Sequence, residues 1–294
     1  MAVFKLGNGK GGRNKRFLWK CKDCRKQYTV RIGTVYEESR IPLRHWCYAF
    51  LAMSESKKGV SALRIMRHCQ ISYKSSLFLL HRIRHAMAPA ADALKLTGVC
   101  ELDETYIGGK PRYKGINRRG RGTNKQPVFA VVQRGGRVRT RVAANVTADT
   151  LKDAVHEFVD RSAKIVTDEL PVYGVIARRF RFVGGHEKVE HGAKEYVSGD
   201  VHTNTIEGFF AILKRGLSGI YHNVSKEHLH RYMSEFEFRY NARSMNDGDR
   251  TVAAIKSAEG KRLMYRAPKA QPTTPEAVTV TATEPVVWKE SLFE

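Results

Sequence analysis

A chain of 294 residues with 42% apolar content is long enough for one large domain or two smaller ones and rich enough to bury a core, which excludes global disorder. Its 52 Lys+Arg against 29 Asp+Glu leave a net charge of +23, a field that attracts polyanions, nucleic acid first among them. No run of about 18 apolar residues marks a membrane span, MAVFKLGNGKGG lacks a secretory apolar core, and five cysteines make a disulfide framework a poor expectation; a cytoplasmic location is expected.

Residues 1–40 begin basic and Gly-rich. FLWKCKDCRKQYTVRIGT then alternates apolar and polar residues around Cys21 and Cys24, which reads as a β-hairpin knuckle. Residues 41–95 read as a helical region. Pro42 suits a first helical position, and Leu43, Trp46, Cys47, Phe50 and Leu51 recur at helical spacing. After the break at SESKKG come a short helix (SALRIMRHC), a turn (QIS) and a longer helix (YKSSLFLLHRIRHAM), with Ser61 and Ser72 as N-caps. That is the outline of a helix-turn-helix. His81 and His85 would lie along its second helix with Lys74, Arg82 and Arg84, the three taken as candidate DNA contacts. A plain helical bundle with a solvated basic face fits the same outline.

Residues 98–245 change character. GVCELDETYIGG reads as a strand. The loop at 110–125 carries seven Lys/Arg and no acid. Its Arg112, Lys114, Arg118, Arg119, Arg121 and Lys125, next to that strand, suggest a DNA clamp. QPVFAVVQRGG and RVRTRVAANV are two strands joined at Gly135-Gly136. TADTLKDAVHEFVD is a helix capped by Thr147 or Asp149, and AKIVTDEL is a short strand ending on an acid. Residues 171–200 read as a helix followed by irregular chain. TNTIEGFFAILKRG and KEHLHRYMSEFEFRYNAR are amphipathic helices. Residues 246–294 form a C-terminal extension, Pro/Thr/Ala-rich from Ala267 onward and expected to be disordered there.

Three carboxylates stand where metal-dependent phosphoryl transfer would use them. Asp103 lies on the first strand of the meander, and Asp168 at the carboxyl end of the strand after the first helix. In an open α/β sheet these strands can be neighbours, and functional groups collect at strand carboxyl ends. Glu207 lies on a helix that can fold back over them. Hard oxygen ligands suit Mg²⁺ or Mn²⁺, and two such ions can activate an attacking oxygen and stabilise a leaving one. Asn204, Glu207, Ala211 and Lys214 share one helical stripe, so Lys214, with Arg215 beside it, would reach a DNA phosphate. Glu207 alone could equally be an ordinary surface glutamate. Glu104 should point away from Asp103 by strand alternation. His186, His191, His202 and His222 gather near the third carboxylate, but none pairs at a helical metal-ligand spacing.

The blocks ELDETYIGG, VTDELPVYG and HTNTIEGFFAILKRGLSGIYHNVSKEHLHRYMSEFEFRYNAR resemble the DDE transposases of bacterial insertion sequences, the ISXO-like group, over about residues 20–243. The resemblance implies an α/β fold: an RNase-H-like mixed sheet flanked by helices, preceded by the knuckle and the helix-turn-helix-like region. It implies cleavage at terminal inverted repeats and strand transfer into double-stranded target DNA by a homo-oligomer. Asp103 and Asp168 match the two aspartates and Lys214 the basic residue after the glutamate. The third ligand is Glu207 or Asn204; a carboxylate suits Mg²⁺ better than an amide. Relatives carry a zinc ribbon built from two CxxC knuckles, whereas this chain has one. Cys47 and Cys69 look like core residues, so Zn²⁺ is not expected here beyond the two thiols of Cys21 and Cys24. The missing knuckle keeps open a DNA-binding remnant without catalysis, and the fold keeps open another RNase-H-like nuclease.

Overall fold

A computed structural model describes residues 3–5, 18–90, 93–108, 125–189 and 202–263. Three short strands, β1 (Val3–Lys5), β2 (Trp19–Cys21) and β3 (Gln27–Tyr28), form an antiparallel sheet. This contains the expected knuckle: Cys21 ends β2, and its N–H bonds to the Lys26 carbonyl at 3.0 Å. All five cysteines are free thiols.

The helical region follows as α1 (Leu43–Glu55), α2 (Ala62–Cys69) and α3 (Tyr73–Ala86). Ser61 accepts a hydrogen bond from the Arg64 N–H and Ser72 from the Ser75 N–H, so both N-caps form as their residue types dictate. Gln70 closes α2 in the left-handed region (φ 52°), which makes the turn into α3 tight. Trp46, Phe50, Ile65, Leu79, Leu80 and Ile83 build the core here. Cys69 is buried as expected, but Cys47 is exposed: α1 turns Trp46, Ala49, Phe50 and Met53 inward, and Cys47 falls outside that stripe.

The rest of the chain is laid on a five-stranded sheet. Its elements are β4 (Val99–Ile107), β5 (Gln126–Gln133), β6 (Val138–Val142), α4 (Ala148–Phe158), β7 (Lys164–Thr167), α5 (Pro171–Phe180) and β8 (His186–Lys188). Then come α6 (Asn204–Gly216), a π-helical turn (Leu217–Tyr221), a 3₁₀ turn (Lys226–His228), α7 (Leu229–Asn241) and α8 (Asp247–Lys256). The strand order is β6-β5-β4-β7-β8. The first three run antiparallel, while β7 joins β4 in parallel and β8 joins β7 in parallel. This is a mixed sheet flanked by helices, as the resemblance implied. Period-two alternation sorts its faces. Cys100, Leu102, Phe129 and Val131 pack with α4 and α5, whereas Val128, Ala130 and Val132 pack with Ile206, Phe209 and Leu213 of α6 and Met233 and Phe236 of α7.

The structure corrects two further expectations. Residues 186–188 form an edge strand where irregular chain was expected. The sequence HEK carries no apolar alternation, and its place is set by parallel pairing with β7. Residues 247–256, for which no element was expected, form α8, whose Ala254 is buried with the α1 and α3 residues, and the segment expected to be disordered after 267 lies outside the described residues. Most consequential, Arg82 and Arg84 do not face solvent. The second half of α3 is enclosed on all sides. Arg82 Nη1 donates to the carbonyls of Val35 (2.8 Å) and Glu37 (2.7 Å). Arg84, 1% exposed, pairs with Glu235 of α7 at 2.7 Å. His81 is buried beside them and His85 half-buried. Of the basic residues proposed as DNA contacts on this helix, only Lys74 stays exposed.

Candidate active site

The pairing of β4 with β7 places the first two carboxylates. Leu102 is in register with Thr167, so Asp103 and Asp168 each stand one position beyond that pair on neighbouring parallel strands. Asp168 Oδ1 accepts the Leu170 N–H at 3.1 Å, which turns the chain into α5. Thr167 donates to the Asp168 carbonyl (2.8 Å) and meets His186 Nε2 of β8 at 2.9 Å, so even the short edge strand braces this corner. Asp103 Oδ1 accepts the Glu104 N–H at 2.7 Å. Burial, followed by the negative charges of Glu104, Asp168 and Glu207, pushes the Asp103 carboxyl up to about 7. Both other candidate acids therefore act on Asp103 electrostatically.

Glu207 arrives with α6, and the residue that seats α6 is Glu101. Two residues before Asp103, Glu101 points to the same face of the sheet and is fully buried. One carboxylate oxygen accepts the Ile206 N–H (2.9 Å), and the other accepts the Thr205 hydroxyl (2.9 Å) and Arg134 Nε (2.7 Å). A buried carboxylate at a helix N-terminus satisfies orphan N–H groups and complements the helix dipole. Arg134, which balances its charge, also donates to the His202 carbonyl at 2.6 Å and so ties down the chain entering α6. Sequence reasoning missed Glu101, although the alternation that sends Glu104 away from Asp103 puts Glu101 beside it.

At that helix start, the Thr203 hydroxyl donates to Glu207 Oε1 at 3.1 Å. Asn204, Glu207, Lys214 and Arg215 are exposed, Ala211 is half-buried, and Ile206, Phe209 and Leu213 are buried below, as the helical stripe requires. Glu104 does lie on the opposite face, yet not in solvent: Tyr173 of α5 donates to it at 2.6 Å. Burial, with Glu104 next, raises the Tyr173 phenol well above its usual value.

The basic clamp is only partly in view. Lys125 is half-buried and follows the loop directly; Arg112, Lys114, Arg118, Arg119 and Arg121 lie outside the described residues, as does His191. His186 is on β8, His202 stands 3.5 Å from Glu101, and His222 lies beyond α6 in the left-handed region (φ 58°), so these three do not form one cluster. Cys21 is buried and Cys24 exposed; hydrogen bonding from the Cys24 backbone, then from Asp23, lowers the Cys21 thiol pKa. Among the described residues, no three His, Cys, Asp or Glu side chains stand close enough together to hold a metal ion. The donors around Asp103 nevertheless fit a hard divalent cation in type. They are carboxylate oxygens whose mutual repulsion a cation would relieve.

Comparison with known proteins bears on the same stretch. The model of the ISXO2-like transposase domain matches residues 95–241, from just before β4 to the end of α7. A protein of Halobacterium salinarum described as an uncharacterized protein in transposable element ISH50 is 30% identical over 241 residues, 76% of this chain and 78% of its own length. Among solved structures, a Mos1 strand transfer complex aligns over 76% of this chain and 77% of its own at 12% identity and a TM-score of 0.32. A pre-cleavage Mos1 transpososome aligns over 76% and 82% at 10% identity and a TM-score of 0.21.

Proposed function

This chain belongs to the ISXO2-like transposases, and from that premise we propose that it cleaves DNA at the inverted repeats of an insertion sequence and joins the ends to target DNA. Asp103, Asp168 and Glu207 would hold two Mg²⁺ or Mn²⁺ ions. The observation that carries this reading is the cross-strand pair of Asp103 and Asp168, with Asp103 raised toward neutrality by burial and by the other acids.

Bound divalent ions would supply activation of an attacking oxygen and stabilisation of a leaving one. The protein's part is placement. Asp103 and Asp168 are fixed by the sheet, whereas Glu207 is carried by a helix whose start is anchored on Glu101. Glu207 would turn from Thr203 toward Asp103 when the site is filled. Asn204 stands one turn earlier on the exposed stripe and would orient Glu207 or touch DNA. Lys214 and Arg215, two turns along, would meet the phosphate backbone. Lys74, Lys125 and the basic loop that holds Arg112, Lys114, Arg118, Arg119 and Arg121 would extend that contact across double-stranded DNA. Two copies acting on two element ends would make the working form an oligomer. Among the described residues no helix is long and apolar enough to cross a membrane, which accords with work on chromosomal DNA in the cytoplasm.

The test is strand transfer of a labelled element end. Asp103→Ala and Asp168→Ala should each lower it by roughly 10³-fold or more while DNA binding persists. Wild-type rates in either variant would overturn the proposal.

A further inference from the structure

Away from the acidic corner, α2, α3 and the turns after α6 enclose a cavity of about 510 Å³, in the size range of small-molecule sites. Its making is specific. Gly59 adopts φ +102°, and a Cβ there would lie 1.8 Å from the Tyr221 hydroxyl, so only glycine lets Tyr221 close this wall. The π-helical turn and the left-handed His222 bring residues 219–225 over the opening.

The cavity's walls divide by chemistry. At its base lie His81 (8% exposed) and Arg84 (1% exposed), and His81 Nδ1 and Arg84 Nη1 have no hydrogen-bond partner. Such buried, unsatisfied polar atoms are costly unless something else supplies partners. Arg84 is neutralised by Glu235, and burial, then the charges of Arg84 and His228, lowers His81 to about 3, so its imidazole is neutral. The base thus carries a paired guanidinium, a neutral imidazole, and both donors and an acceptor. Aromatic rings surround it. His228 and Tyr232 stand edge-on to His81 at 4.9 and 5.7 Å, Tyr221 adjoins them, and Tyr73 is half exposed at the mouth. At the rim two arginines of α2 are exposed: Arg64, which lies 3.5 Å from Glu55, and Arg67, whose Nε donates to the Leu63 carbonyl of its own helix.

We propose that this cavity receives a single unpaired nucleotide of a DNA strand, with the base against the rings and the polar floor and its phosphate at Arg64 and Arg67. The unsatisfied polar atoms of the floor match a base edge, the rings match its faces, and the exposed arginines match its phosphate. The DNA strand is favoured over a free nucleotide because the cavity opens between the two helices of the helix-turn-helix-like pair, beside exposed Lys74. This rests on the DNA-binding part of the proposed function but not on its chemistry.

The test uses the full chain without divalent metal, with EDTA present. Affinity for a perfect duplex is compared with that for the same duplex bearing one bulged 2-aminopurine. The wild type should bind the bulged duplex about tenfold more tightly, with the probe's fluorescence quenched by stacking. Tyr73→Ala and Arg67→Ala, both at exposed positions, should each bring that ratio close to one while leaving affinity for perfect duplex within about twofold. Equal binding of the two duplexes by the wild type, or a preference that survives both substitutions, would overturn the proposal. Millimolar deoxyadenosine monophosphate should leave the bulge preference intact; its loss would make the occupant a free nucleotide and overturn the assignment to a DNA strand. Failure to bind either duplex would overturn the DNA-binding reading beneath it, whereas loss of strand transfer alone would not touch this site.

Discussion

Two groups of acids in this protein receive opposite treatment. Glu235, at the junction of α7 and α3, is fully buried and surrounded by compensation. Arg84 pairs with it at 2.7 Å, Arg239 bonds to it from one turn along the same helix, and the Tyr221 hydroxyl donates to it. Burial would raise its pKa, but Arg239 and Arg84 outweigh that and hold it below the usual carboxylate range. Asp103 is surrounded by Glu104, Asp168 and Glu207, and is pushed up to about 7. The first arrangement locks the helical region to the sheet. The second gathers acids at a sheet corner, where the charges of Glu104, Asp168 and Glu207 add to burial in raising Asp103. A shifted pKa does not by itself separate the two kinds. Glu237 also rises to about 7 by burial, but its nearest groups are Thr140 and Arg139, which support its charge. The sign of the neighbours is the discriminating feature.

Substitutions at the two groups should therefore move stability in opposite directions. The largest effect is expected at Glu235→Ala, which strands Arg84 and Arg239 as buried unpaired cations. Such losses cost about 3–5 kcal/mol and should lower Tm by about 10 °C. An unchanged melting curve would show that this junction carries no weight.

Glu101→Gln comes next, because Glu101 is an acid of the active-site face treated in the compensated way. Glutamine can still accept the Ile206 N–H but no longer balances Arg134. Tm should fall by about 5 °C. Metal-dependent strand transfer should also slow by about tenfold, because Glu207 is carried by the helix that Glu101 seats. A normal rate with a lowered Tm would confine Glu101 to a structural role.

The smallest shift is expected at Asp103→Asn, and it has the opposite sign. Asp103 titrates near 7 in the fold and near 4 in the unfolded chain. Its contribution to stability is thus fully present below about pH 4 and is lost as pH rises through 7. At pH 8, asparagine should raise Tm by about 3 °C in metal-free buffer, with no gain at pH 4. Added Mg²⁺ should raise the wild-type Tm and leave the variant unmoved. Destabilisation at pH 8 would mean that the acidic corner is not strained by its own charge.

Much of the sheet and of its helices was legible because it is local. Alternation marked β4, β5 and β6, the glycine pair marked their hairpin, and serine and threonine caps marked α2, α3 and α4. The neighbouring placement of Asp103 and Asp168 followed from strand order. What the sequence hid depends on distant partners. The arginines of α3 read as a wet basic face because nothing near them announces Glu235, 151 residues away. The strand at His186–Lys188 is defined by β7, not by its own composition. Cys47 shares helical spacing with true core residues but falls beside their stripe. Glu101 was within reach: the period that removes Glu104 from Asp103's side places Glu101 there, and only its use as the seat of α6 required the fold.

The central claim is that Asp103, Asp168 and Glu207 act together on divalent metal. It is tested most directly by Mn²⁺-dependent strand transfer of an element-end duplex, comparing Glu207→Gln with Asn204→Ala. The account predicts that Glu207→Gln lowers transfer by roughly 10²-fold or more, while Asn204→Ala stays within about tenfold of wild type. Full activity of Glu207→Gln with loss in Asn204→Ala would contradict it and move the third position to Asn204.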